Sequence, residues 1–165
     1  MVDELAAMAS LIDSLTVRTG SSTWVDAASQ PATLDRIGRL IADALRPREP
    51  EAIGCWLAED DTVLAHSVAV HLGLPVLRVN DDLGRMSLVP DRGLRVSSAV
   101  VVSPLWTRQK SSVALIAFFV NRGIAVRAAV SLVGTVEPQH ATDGVERIVL
   151  GKSQRPDRNA AGEAW

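Results

Sequence analysis

The 165-residue chain has no tyrosine and a single cysteine, Cys55. No phenol can act as acid, base or nucleophile, no intrachain disulfide can form, and a multi-cysteine zinc site is excluded. Lysine is scarce too: of 17 basic residues only Lys110 and Lys152 are lysines. That skew, with the abundant alanine and valine, reads as the codon bias of a GC-rich genome. Against 19 acidic residues the formal net charge is −2. A basic stripe of the kind nucleic-acid binders carry is missing, so nucleic acid is not an expected partner. Long apolar runs are missing as well. The longest, Val113–Val120, falls far short of the ~20 residues that span a bilayer. Met1–Ser10 lacks the basic start and apolar stretch of a signal peptide. A cytoplasmic protein with no membrane partner is expected.

What is present is an ordinary globular composition, 47% apolar and 22% charged, long enough to bury a core without staples. Residues 1–150 read as one domain and 151–165 as a small, polar, flexible tail. Leu5, Met8, Ile12 and Leu15 recur at helical spacing over Asp3–Leu15. Leu15–Arg18 and Thr23–Asp26 are short strand candidates about the turn signal Thr19-Gly20-Ser21-Ser22. Pro31 opens a second helix with Leu34, Ile37, Ile41, Ala44 and Leu45 along one face, and Pro47 ends it. The continuous apolar run Ala52–Leu57 predicts a buried parallel strand. A helix then runs from Glu59 to Gly73 and a strand over Pro75–Val79. Asn80–Leu94 reads as a polar loop. A strand over Arg95–Val102, a helix over Lys110–Arg122, a strand over Ile124–Val133 and a short one at Glu146–Leu150 complete the chain. This order predicts an α/β fold with a mainly parallel sheet flanked by helices. In such sheets ligands bind beyond the carboxyl ends of the strands, here after Leu57, Val79 and Val102.

Other chemistry finds little support. His66 and His71 stand five apart, not the four of a metal-binding helix face. The third histidine is His140, and no serine sits in a nucleophile elbow. Cys55 lies in a buried strand, where it acts as a small apolar residue. Trp106 follows a strand at the ligand edge; it either stacks on a base or packs the core. A flavodoxin-like domain would explain the sheet but not the early hairpin with its glycine turn.

Arg18-Thr-Gly-Ser-Ser-Thr-Trp-Val-Asp26, His71-Leu-Gly-Leu-Pro-Val76, Val100-Val-Val-Ser-Pro-Leu-Trp-Thr-Arg-Gln-Lys-Ser-Ser112 and Asn121-Arg-Gly-Ile-Ala-Val126 follow one another in that order. In order and spacing they resemble the type I phosphoribosyltransferases, the orotate enzymes most of all, over roughly Asp3 to Gly134. The resemblance implies a small N-terminal hood, a pyrophosphate loop, a mobile loop and a phosphoribosyl pyrophosphate motif. It also implies a homodimer, a nucleotide-like or phosphate-bearing ligand, and Mg²⁺ if transferase activity survives.

At the chemistry-bearing positions this chain departs from the family. Ser103 and Pro104 replace the acidic pair that holds the ribose hydroxyls. Thr107 is kept, but Arg108, Gln109 and Lys110 replace the small residues and glycine whose backbone N–H groups cradle phosphate. Thr107, Arg108, Lys110, Ser111 and Ser112 still crowd a helix start, where anions are attracted. They are either a surviving anion site or solvated charges and a helix cap. In the pyrophosphate loop Glu59, Asp60 and Asp61 stand where small residues belong. Like charges ~4 Å apart repel by about 4 kcal/mol at an effective dielectric of ~20, although a bridging Mg²⁺ reverses the sign. The mobile loop has no lysine; Arg78 and Arg85 could supply its charge, with Asp81 and Asp82 between them. Two functions follow. One is a transferase-like protein that has lost conventional catalysis and serves as a binding, regulatory or assembly partner of other proteins. The other is a divergent enzyme that binds an anion through Ser103–Ser112.

Overall fold

A computed structural model describes residues 2–19, 22–89, 93, 95–107, 109–134 and 144–151. Arg108, His140 and residues 152–165 lie outside them. Helix α1 (Val2–Leu15) leads into an antiparallel hairpin of β1 (Thr16–Thr19) and β2 (Ser22–Val25). This separate two-stranded sheet is the expected hood, closed at its base by Asp26 N–H donating to Leu15 O (2.9 Å). Helix α2 (Pro31–Leu45) starts on a proline, which loses nothing there because the first helical N–H has no partner. Its buried Leu34, Ile37, Ile41 and Leu45 form one stripe, but Ala44 is exposed and the small residue that the core takes in is Ala42. Strand β3 (Ile53–Trp56) is wholly buried, as a strand covered on both faces must be. Helix α3 (Glu59–Leu72) ends at Gly73, whose φ of 69° suits the left-handed cap. Strands β4 (Val76–Asp82), β5 (Arg85–Val89) and β6 (Ser98–Ser103) follow, then helix α4 (Ser112–Val120), β7 (Ala125–Ser131) and β8 (Glu146–Val149).

The main sheet has the order β5-β4-β3-β6-β7-β8. Its neighbours pair parallel except β4 with β5. Side chains alternate between two cores. Val100, Val102 and Val130 join Ile12, Leu15, Ile37, Ile41, Leu64 and Val68 under α1–α3. Val101, Trp56 and Val126 join Leu115, Phe118 and Phe119 under α4. Gly54 admits the Phe119 ring: a Cβ there would lie 2.6 Å from it.

The chain from Asn80 to Val89 is not the expected loop. Strand β4 continues to Asp82 and turns back through Leu83-Gly84 into β5. Both turn residues have positive φ (51° and 86°), as two-residue hairpins require. Asp81 Oδ1 accepts from Gly84 N–H at 2.8 Å. The hairpin holds because Met86 and Leu88 pack against the core under α4. Element ends also shift: β6 begins at Ser98 and α4 at Ser112, later than the apolar pattern alone suggests.

Candidate functional site

The parallel strands β3 and β6 are neighbours, so the segments after them share one corner of the sheet. After β3 the chain passes Ala58, in extended conformation, and enters α3 at once. The three acids of its first turn then diverge. Glu59 is exposed. Asp60 Oδ1 accepts from Ala27 N–H (3.0 Å), tying α3 to the link between the hood and α2. Asp61 is fully buried, and its Oδ2 takes a hydrogen bond from Lys110 Nζ at 2.6 Å. Asp61 Oδ1 has no hydrogen-bond partner among the described residues. Burial pushes the Asp61 carboxyl above the usual carboxylate range, while the hydrogen bond from Lys110 pulls the other way.

After β6 the polar groups are also committed within the chain. The Ser103 hydroxyl donates to Leu105 O (3.1 Å), and Pro104 O accepts from Val133 N–H (3.1 Å). Thr107 and Lys110 close a tight turn. Thr107 N–H donates to Lys110 O (3.1 Å) and Lys110 N–H to Thr107 Oγ1 (3.0 Å). Ser111 caps α4 by accepting from Ala114 N–H (3.3 Å), and Ser112 is buried behind it. Trp106 is 4% exposed and belongs to the core under α4, so it packs and leaves no face for a base. Gln109 is exposed.

The structure thus gathers Asp61, Ser103, Thr107 and Lys110 at one corner. It does not bring the two arginines of the expected mobile loop there. Arg85 starts β5 opposite Asp82. Arg78 lines an open, mainly apolar cleft of about 600 Å³ between α3 and β4, with Val63, His66, Val70, Leu74 and Val76. His71 reaches Asp35 Oδ1 (2.9 Å) across to α2. The Cys55 thiol is buried and pushed up to about 12 by desolvation, which makes it inert. At the opposite, amino end of the strands lies a polar pocket of about 500 Å³ that includes Arg48, Glu49, Glu51, Arg127 and Glu146. Sequence patterns gave no sign of it, because its residues come from four separate elements.

The Asp61–Lys110 pair was hidden for a similar reason. A loop of acids and a loop of bases on adjacent strands was the available signal, and opposite charges there were free to meet. The two acids of this corner that could meet a Mg²⁺ already have partners in the chain. Asp60 serves a backbone N–H, Asp61 serves Lys110, and no group of three metal-ligating side chains occurs among the described residues.

No family model matches the sequence, and no curated protein matches it. Solved structures do match the fold. A phosphoribosyltransferase from Corynebacterium diphtheriae is similar at TM-score 0.68 and 19% identity, over 90% of this chain and 95% of that one. Orotate phosphoribosyltransferase of Mycobacterium tuberculosis H37Rv, in complex with 5-phospho-α-D-ribosyl 1-diphosphate, matches at 0.65 and 16%, over 90% and 89%. Adenine phosphoribosyltransferase from Thermoanaerobacter pseudethanolicus matches at 0.66 and 14%, over 92% and 99%. The N-terminal hood, the mostly parallel sheet and the four α-helices among the described residues make up the type I phosphoribosyltransferase fold.

Proposed function

We propose that this phosphoribosyltransferase-like protein has lost conventional phosphoribosyl transfer. In this reading it acts in the cytoplasm as a non-catalytic binding, regulatory or assembly partner, itself a homodimer. The observation that carries the reading is the Asp61–Lys110 ion pair. It joins the two segments that, in the resembling enzymes, receive pyrophosphate and phosphate, and it neutralises the lysine that would meet an anion. Ser103 and Pro104 add no carboxylate for ribose hydroxyls, and proline offers no N–H. A second reading, a divergent enzyme acting on an anionic ligand through Ser103–Ser112, draws support from Lys110, whose side chain keeps 35% of its surface in solvent.

Thermal unfolding with phosphoribosyl pyrophosphate and Mg²⁺ separates the two. A ligand that binds only the folded state raises stability by mass action. No shift is expected up to millimolar ligand, and no pyrophosphate release with orotate or purine bases. A clear shift accompanied by pyrophosphate release would return the protein to the enzymes.

A further inference from the structure

Side chains of β4 alternate between the two faces of the sheet. Leu77 and Val79 enter the core under α4, while Val76 and Arg78 turn to the face that α3 covers only in part. The cleft of about 600 Å³ lies there, between α3 and β4. Val63, His66 and Val70 follow at spacings of three and four, so they share the helix face that walls it. Val70 is 60% exposed and belongs to the open rim. No acid lines this cleft. Arg78 is half-buried and makes no hydrogen bond or ion pair among the described residues. Beside it on β3 stands Cys55, whose thiol, pushed up to about 12, has no charge to offer. A half-buried guanidinium without a counter-charge carries a desolvation cost that nothing in the chain offsets.

We propose that the α3–β4 cleft binds a small amphipathic carboxylate: the apolar body lies along Val63, Val70 and Val76, and the carboxylate meets the Arg78 guanidinium. The volume suits such a ligand, since small-molecule sites span roughly 300–1,000 Å³ and are mainly apolar with a few convergent polar groups. A guanidinium presents two parallel N–H donors to one carboxylate. A single arginine in the lining favours one negative charge over a diphosphate. The charge also argues against covering by an apolar surface alone, which would bury the guanidinium unpaired. The cleft shares no lining residue with the Asp61–Lys110 corner. The inference therefore goes beyond the loss of phosphoribosyl transfer and holds whether or not catalysis survives.

The test is calorimetric titration of the full chain with 2-naphthoate and with 2-naphthamide, its neutral isostere. Wild type is expected to bind naphthoate with a Kd of about a millimolar or tighter. Naphthamide should bind at least about tenfold more weakly, because it lacks the charge-assisted contact. Arg78→Met should bind the two alike. Val70→Glu places an acid on the exposed rim and should weaken naphthoate about threefold while sparing naphthamide. No naphthoate binding by wild type up to several millimolar overturns the proposal, as does a folded Arg78→Met that keeps the preference. If Arg78→Met does not fold, Val70→Glu decides, and an unchanged naphthoate affinity overturns it. Phosphoribosyl pyrophosphate with Mg²⁺ should not displace naphthoate; displacement would put the probe at the carboxyl end of the sheet and overturn the proposal. Sedimentation with and without naphthoate should give one oligomeric state. Dissociation by the probe would show that a second copy covers the cleft, and that too overturns it.

Discussion

Lys110→Met and Asp61→Asn remove the same ion pair but leave different residues behind. The methionine variant strands a fully buried carboxylate with neither oxygen paired to a cation. Stranding one member of a buried pair costs roughly 3–5 kcal/mol. The low end applies here, because Lys110 is one third exposed and water already softens the pair. The asparagine variant strands an ammonium that solvent can reach, and an amide is far cheaper to bury than a charge. Lys110→Met is therefore expected to lose about 3 kcal/mol and Asp61→Asn about 1 kcal/mol or less. The double variant should recover part of the Lys110→Met loss. Urea unfolding of the three variants measures this. Equal losses in the two single variants would mean that the carboxylate is better solvated than its burial implies.

At the scale of elements, the β4–β5 hairpin carries the clearest local mismatch between sequence and conformation. Leu83 is fully exposed at a φ of 51°, a region leucine enters at a cost and asparagine enters readily. Leu83→Asn should raise stability by about 0.5–1 kcal/mol, read as a higher urea midpoint with an unchanged slope. An unchanged or lower midpoint would show that the leucine contributes something the hairpin itself does not need. The same residue explains why the hairpin was not legible. Asn-Gly between apolar alternations announces a turn, whereas Asp-Asp-Leu-Gly reads as a polar connection. Elsewhere local patterns were sufficient. The run at Ala52–Leu57, the helical stripe of α2 and the Leu72-Gly73 stop each sit within a few residues of the observed element. The site was legible only as two oppositely charged segments. Asp61 and Lys110 are 49 positions apart, and an acid in the first turn of a helix already has a sufficient local explanation in the helix dipole. Pairing them required knowing that β3 and β6 lie side by side.

Over the whole molecule, the same carboxylate should be visible in how stability depends on pH. Burial raises the folded-state value of Asp61 above that of the unfolded chain. From the ordinary carboxylate value of about 4 up to that raised value, the folded protein holds a proton that the unfolded chain has lost. Stability contributed by Asp61 is thus fully present below this window and falls as the pH rises through it. Glu51 works in the opposite sense. The Ser97 hydroxyl and N–H both donate to it and hold its value down. Its contribution is present above the ordinary carboxylate range and is lost as the pH falls through its lowered value. Wild type should therefore gain stability relative to Asp61→Asn as the pH drops from neutrality toward about 4 and the difference should then level off, because Glu51 and the other carboxylates are common to both proteins and cancel, although both lose absolute stability in stronger acid. Thermal midpoints of the two proteins across that range measure the difference directly. Parallel profiles would mean that Asp61 titrates alike in the folded and unfolded chains, and that its burial leaves the carboxyl as well solvated as in the unfolded chain.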